Sequence, residues 1–203
     1  MIAPPVTASA VETFQKKYES LSGKVRIAGD VGTAVAEVAA ILNAVSATCV
    51  AVAALPAPVQ ALLEDHCAQA GIKFLKPPYS ASDLPGAIDG AQVGITAADF
   101  AIAETGTLVE FATDDSLRLV STLPRLHIGI VWAPEIVNVL TDAAPLIRRA
   151  FAENTRNCVV TFISGPSRTA DIEMKLTLGV HGPEEAYAIV ITEPRPEGES
   201  ANV

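Results

Sequence analysis

The residues able to do chemistry gather at two glycine-containing turns. The richer is Ser164-Gly165-Pro166-Ser167-Arg168-Thr169, which follows the apolar run Cys158–Ile163 and leads past Asp171 and Glu173 to Gly179-Val180-His181-Gly182-Pro183. A guanidinium, three hydroxyls and the amides of a strand-to-helix turn suit recognition of phosphate or carboxylate. Gly165, Ser167, Arg168, Thr169 and Asp171 are therefore candidate ligand-binding residues. The competing reading is a capped helix start in which Arg168 pairs with Asp171 or Glu173. The turn is not a Walker A loop, because the final Gly-Lys-Ser/Thr is absent, and it is not a GxGxxG fingerprint.

The second turn is Ala103-Glu104-Thr105-Gly106-Thr107, read as following a short helix. An acid beside a glycine turn can project into a crevice beyond strand ends, which makes Glu104 a catalytic candidate. The Thr105 hydroxyl and the Gly106 and Thr107 amides can hydrogen-bond an anionic group. The alternative is a solvated acid in a hairpin turn. His181 is the other acid–base candidate, since an imidazole titrates near neutrality, with turn packing as an equal alternative. Together the two turns would form the two sides of one small-ligand cleft.

Other groups invite less. His66 falls in a surface helix, His127 in a strand-like run as a structural histidine, and Trp132 after a strand as core. Cys49, Cys67 and Cys158 lie far apart without a CxxC pair, and no HxxxH or His-Cys grouping occurs, so the chain carries no zinc or iron–sulfur motif. A Gly-x-Ser-x-Gly nucleophile elbow is also absent.

Positioning these turns is the task of an alternating chain. Val11, Phe14, Tyr18 and Leu21 recur at helical spacing behind Ser9 and Glu12, which predicts an N-terminal helix over 9–21. Strands are expected at 24–28, 49–55, 72–75 and 91–96, with helices over 33–45 and 58–70 and a weak one over 83–88. That order means βαβ units and a parallel sheet. After Ala97 the pattern changes. Thr107–Thr113 alternates, Asp114-Asp115-Ser116 reads as a tight turn, and Leu117–Ser121 as a returning strand. Leu126–Val131 resumes as a strand, and 134–151 reads as a helix kinked or split by Pro145. Cys158–Ile163 and Ala186–Ile191 are expected to close the sheet. Residues 170–178 show a strand-like period but contain poor strand formers, and a short helix followed by a loop is favoured. The fold class is α/β: a mostly parallel doubly wound sheet with helices on both faces and an inserted antiparallel hairpin. One domain over 1–192 and a flexible tail over 193–203, rich in Pro, Glu and Ser, complete the expectation.

Composition limits the partners. Acids outnumber bases 23 to 14, for a net charge of −9, and no basic run occurs, which argues against binding nucleic acid or an anionic membrane face. The N-terminus lacks the features of a secretory signal, and the longest apolar window, Val45–Val59, is broken by prolines and too short to span a bilayer. A cytoplasmic location is expected.

Taken together, Gly94-Ile-Thr, Ala103-Glu-Thr-Gly-Thr107, Leu123-Pro with His127, Gly165-Pro-Ser-Arg-Thr-Ala-Asp-Ile-Glu173 and Gly179-Val-His-Gly-Pro183 resemble the LutC/YkgG-type lactate utilisation proteins, the LUD-domain family. The resemblance covers about residues 91–192. It implies the fold shared with ribose-5-phosphate isomerase, glucosamine-6-phosphate deaminase, CoA transferases and formyltetrahydrofolate cyclo-ligase. It also implies a role in oxidising L-lactate to pyruvate beside iron–sulfur partner proteins, whose cysteine motifs belong to the partners. Three functions stay open: a lactate-utilisation component that binds a small anionic metabolite at strand carboxyl ends, a stand-alone CoA-transferase- or cyclo-ligase-like enzyme using Glu104, and a non-catalytic assembly subunit.

Overall fold

The computed structural model describes residues 8–155, 157–170, 176–178 and 181–195. Helix α1 (Ala8–Ser20) leads into β1 (Lys24–Ala28), α2 (Val31–Ala44), β2 (Cys49–Ala53), α3 (Ala57–Ala70) and β3 (Lys73–Leu75). After the short α4 (Gly86–Asp89) come β4 (Val93–Ala97), β5 (Phe100–Ile102), β6 (Thr107–Ala112) and α5 (Asp115–Thr122). Then follow β7 (Leu126–Trp132), a 3-10 turn (Ala133–Glu135), β8 (Ile136–Val137), α6 (Leu140–Glu153), β9 (Val159–Ile163), β10 (Arg168–Ala170), β11 (Leu176–Leu178) and β12 (Glu185–Ile191).

Six strands form a wholly parallel sheet in the order β1-β12-β7-β4-β2-β3. Its central strands are apolar runs because both faces are covered. On one face α2 and α3 bury Val38, Leu42, Leu63 and Cys67 against Val52, Ile95, Ile128 and Ile189. Each such Leu, Ile or Val, fully buried, contributes roughly 1.5–3 kcal/mol. The Asp30 carboxylate caps α2 by accepting the Thr33 N–H at 2.7 Å. Gly71, at φ 68°, ends α3.

On the other face, Phe14 and Tyr18 of α1 and Leu117 and Val120 of α5 pack against the sheet. Between them lies a second sheet in the order β8-β5-β6-β9, with β5–β6 and β6–β9 antiparallel and β5–β8 parallel. Helix α6 covers its far side, with Ala143 and Ala150 buried on Phe100, Ile102, Val109 and Phe111.

The α/β class, the parallel sheet and the helices on both faces are as expected. The antiparallel element differs. It is not a hairpin on the edge of the main sheet but the core of a separate sheet, and its partners are β5 and β9. Residues 100–102, read as part of a short helix, form β5. Leu117–Ser121, read as a returning strand, lies in α5, because Asp114 accepts the Ser116 N–H at 2.7 Å and a helix puts Leu117, Val120 and Ser121 on one buried side. Cys158–Ile163 joins the second sheet rather than the first. The long helix over 134–151 splits at β8, while Pro145 sits inside α6. Around 170–178 the strand-like period prevails over weak propensity: Arg168–Ala170 and Leu176–Leu178 pair antiparallel, with Asp171 and Glu173 outside the described residues. The expected tail begins in order, since Val31 N–H donates to Glu193 at 2.9 Å and Arg195 is held by Glu135.

Candidate functional site

The two turns named from the sequence meet. Thr107 Oγ1 lies 2.7 Å from Thr105 Oγ1 and 2.8 Å from Ser164 Oγ, so a chain of hydroxyls joins one turn to the other. Both turns lie against the C-terminal end of α1. Gly106, at φ 60°, leaves no room for a side chain, because a Cβ there would fall 2.4 Å from Tyr18 N. Gly165, at φ 104°, would place a Cβ 2.8 Å from Leu21 O. At Gly165 the backbone angle itself favours glycine, and at Gly106 the demand comes chiefly from the close approach of the α1 backbone. The close approach sets the exposed Lys17 beside Gly106 as a second cation that the sequence reading did not single out. A basic residue in the last turn of the first helix was the available signal.

The third segment joins them. Ser167 N–H donates to Pro183 O at 2.8 Å, and Gly182 lies against Ser167. That brings the exposed His181 to the same region as the exposed Arg168. Thr169 follows in β10, and Asp171 lies outside the described residues. Glu104 is exposed and its Oε2 accepts the Leu140 N–H at 3.2 Å, at the first turn of α6, where a carboxylate is favoured by the helix dipole.

The position differs from expectation in one respect. The turns follow the carboxyl ends of β5 and β9, but they abut Leu21 and Gly23, at the amino end of β1. They do not lie beyond the carboxyl ends of the parallel sheet, because β9 belongs to the second sheet. Nor does Arg168 open a helix: its turn runs into β10, so the amides of a helix N-terminus are not part of the site.

Different groups occupy the carboxyl ends of the parallel strands. Arg195 lies 2.6 Å from Glu135 Oε1, donates from Nη2 to Ala98 O at 3.2 Å, and stacks 4.1 Å above the Trp132 ring. Nearby Asp99 accepts the Phe111 N–H at 2.7 Å, and burial pushes its carboxyl up to about 6. An open groove of about 770 Å³ runs between Pro78, Tyr79 and Leu84 on one side and Thr113, Ser116 and Arg118 on the other. None of the residues of the two turns lines it.

Between the two sheets lies a polar cluster that sequence reasoning also missed. Thr96 Oγ1 donates to Glu110 Oε1 at 2.5 Å and lies 2.8 Å from His127 Nε2, and all three residues are buried. With neutral His127 carrying its proton on Nε2, the chain runs from Nε2–H to Thr96 and from the Thr96 hydroxyl to the carboxyl. Burial raises the Glu110 carboxyl to about 7, eased by Thr96, and lowers His127 to about 4. Ser121 also stands near the carboxyl, but its hydroxyl donates to Arg118 O at 3.2 Å, so Thr96 is the firm partner. The signal in the sequence was Glu110 itself, an acid at an inward position of an otherwise apolar strand. Fully enclosed, the cluster ties the second sheet to the first rather than meeting a ligand.

Among the described residues no group of three or more His, Cys, Asp or Glu is arranged to hold a metal, and no helix is long and apolar enough to cross a membrane.

Fold and turns together define an α/β protein in which a parallel six-stranded sheet carries a smaller mixed sheet on one face. The same fold occurs in a crystal structure of a DUF162 family protein from Deinococcus radiodurans, with a TM-score of 0.65 and 21% identity over 93% of this chain and 99% of that one. The chain belongs to the LUD domain family, whose model matches residues 11–191. It is similar to lactate utilization protein C of Shouchella clausii (46% identical over 101 residues, 50% of this chain and 44% of that protein). It is also similar to that of Bacillus subtilis (43% over 104 residues, 51% and 43%) and of Geobacillus kaustophilus (36% over 139 residues, 66% and 57%). The matched stretch thus spans about half the length of these curated relatives.

Proposed function

We propose that this chain serves in L-lactate utilisation in the cytoplasm, as a component that binds a small anionic metabolite while iron–sulfur partner proteins carry the electrons of lactate oxidation to pyruvate. The relatives' name, lactate utilization protein C, supports the pathway. The observation that carries the ligand reading is the hydroxyl chain Thr105–Thr107–Ser164, which joins two turns flanked by Arg168 and Lys17. Hydroxyl donors beside two cations suit a carboxylate or phosphate. Ser167 and Arg168 are the binding residues, with Gly106 and Gly165 allowing the turns to close on α1. His181 is the acid–base candidate on the third segment.

Calorimetric titration of the protein with lactate, pyruvate and phosphate tests the ligand reading. Arg168→Ala should weaken binding of the recognised anion by about tenfold or more, the scale of one charge-assisted hydrogen bond. Unchanged affinity would remove Arg168 from the site. Deleting the gene should abolish growth on L-lactate and spare growth on pyruvate. Glu104 is exposed at its turn with one carboxylate oxygen held by the Leu140 N–H, so acyl-CoA is the control. A thioester trapped on Glu104 would move the reading to a group-transfer enzyme.

A further inference from the structure

Four strands form the outer edges of the two larger sheets, and three of them are guarded in the ways that keep sheet edges from pairing. β1 carries Lys24 and Arg26, each in an ion pair, with Glu185 and Glu37. β3 has three residues, begins with Lys73 and is soon followed by Pro77-Pro78. β8 has only two residues. The fourth edge, β9, has none of these guards along its own five residues, and its nearest proline is Pro166, past its end. Residues 157–164, Asn-Cys-Val-Val-Thr-Phe-Ile-Ser, contain no charge, no proline and no glycine. Among the described residues β9 pairs only with β6, and while β6 is buried along its whole length, β9 is half-buried with Phe162 49% exposed. Its register opposite β6 fixes its two faces. Val160 and Phe162 share the α6 face with Phe111 and Val109, and Val159, Thr161 and Ile163 face the parallel sheet.

We propose that β9 is a dimer edge, where two copies of this chain pair antiparallel about a two-fold axis through Thr161 to make one continuous eight-stranded sheet. The occupant is a second copy because the strand is complementary to itself. In that register Thr161 faces its own counterpart, Val160 faces Phe162 and Val159 faces Ile163. These are Thr–Thr, aromatic–β-branched and aliphatic pairs, the kinds that stabilise neighbouring strands. A two-fold contact needs only this one surface, so no separate complementary patch has to exist. Charge points the same way: the protein carries −9, and this neutral stretch is a place where two copies can approach without bringing acids together. Pairing would also bring Cys158 of one copy beside Ser164 of the other, at the rim of the candidate ligand turns.

Sedimentation or light scattering of the full chain at micromolar concentrations should show a closed dimer. Amides 159–163 should gain hydrogen-exchange protection as concentration rises. Phe162→Lys, at an exposed position, should raise the dimer dissociation constant about tenfold or more while leaving the circular dichroism spectrum unchanged. Thr161→Cys should cross-link two copies under mild oxidation where the wild type, with its own three cysteines, does not. A monomer at all concentrations, an open-ended polymer, or a dimer that survives Phe162→Lys and gives no Thr161→Cys cross-link would each overturn the proposal.

Discussion

Replacing Glu110 by glutamine keeps the size of the side chain and an acceptor for Thr96 but removes the titration. The wild-type carboxyl is raised from 4.5 to about 7, chiefly by burial, because the charged form is costly between two sheets. An acid with a raised folded-state pKa stabilises the fold fully below its unfolded value and loses that contribution as pH rises through the folded one. At about 1.4 kcal/mol per pH unit, the loss between pH 4.5 and about 7 is on the order of 3 kcal/mol. His127 acts in the opposite direction. Its pKa is lowered from 6.5 to about 4, so its contribution is present above that range and is lost as pH falls through it. The two slopes oppose one another, while Asp99, raised to about 6, adds to that of Glu110. The raw stability profile of the wild type therefore conceals each group, and the difference between variant and wild type isolates one. Urea denaturation at closely spaced pH values should show Glu110→Gln gaining on the wild type by roughly 3 kcal/mol between pH 4.5 and 7, then holding level. A difference that stays flat across that window would refute the assignment of a buried, proton-retaining carboxyl.

Two further perturbations test other contacts. Arg195→Ala should cost on the order of 3 kcal/mol, because it leaves the largely buried Glu135 carboxylate unpaired, and should shift the fluorescence of the sole tryptophan, Trp132, to longer wavelength as its ring is uncovered. Unchanged emission would show that the segment 193–195 does not dock. Gly165→Ala should lower stability by about 1–3 kcal/mol, since φ 104° and the Leu21 carbonyl both oppose a side chain. Gly29→Ala, where a Cβ meets nothing within 4 Å, is the control and should stay within about 0.5 kcal/mol.

The legibility of the chain follows the range of the forces involved. β2, β4, β7 and β12 are apolar runs long enough to announce burial on both faces, and Gly71 marks a helix boundary through local backbone chemistry. Those elements were readable from neighbours in sequence. The Asp115–Thr122 helix was not, because eight residues with Leu117, Leu119 and Val120 fit two periods, and the choice depends on the Asp114 cap and the sheet beneath. Nor could the sequence place β9, whose composition suits either sheet; the register opposite β6 is a tertiary fact. At the site, types and turns were legible, while the meeting of Thr107 with Ser164 joins residues 57 positions apart. The buried trio was hidden for the same reason, since Thr96, Glu110 and His127 come together only when the two sheets stack.

The place of β12 has a consequence for synthesis. This strand lies between β1 and β7, and its register sets Tyr187 opposite Lys24. Until residues 185–191 have left the ribosome, β1 and β7 have no common neighbour, and β1 stands apart from the four paired strands β7-β4-β2-β3. Folding during translation therefore reaches βα units early and cooperativity late, with an apolar slot waiting for its last strand. Such a nascent chain exposes edges for as long as elongation takes, the condition under which holding by a chaperone matters most. A stall placed just before Glu185 should leave a protease-sensitive intermediate, and the released full-length chain should be resistant.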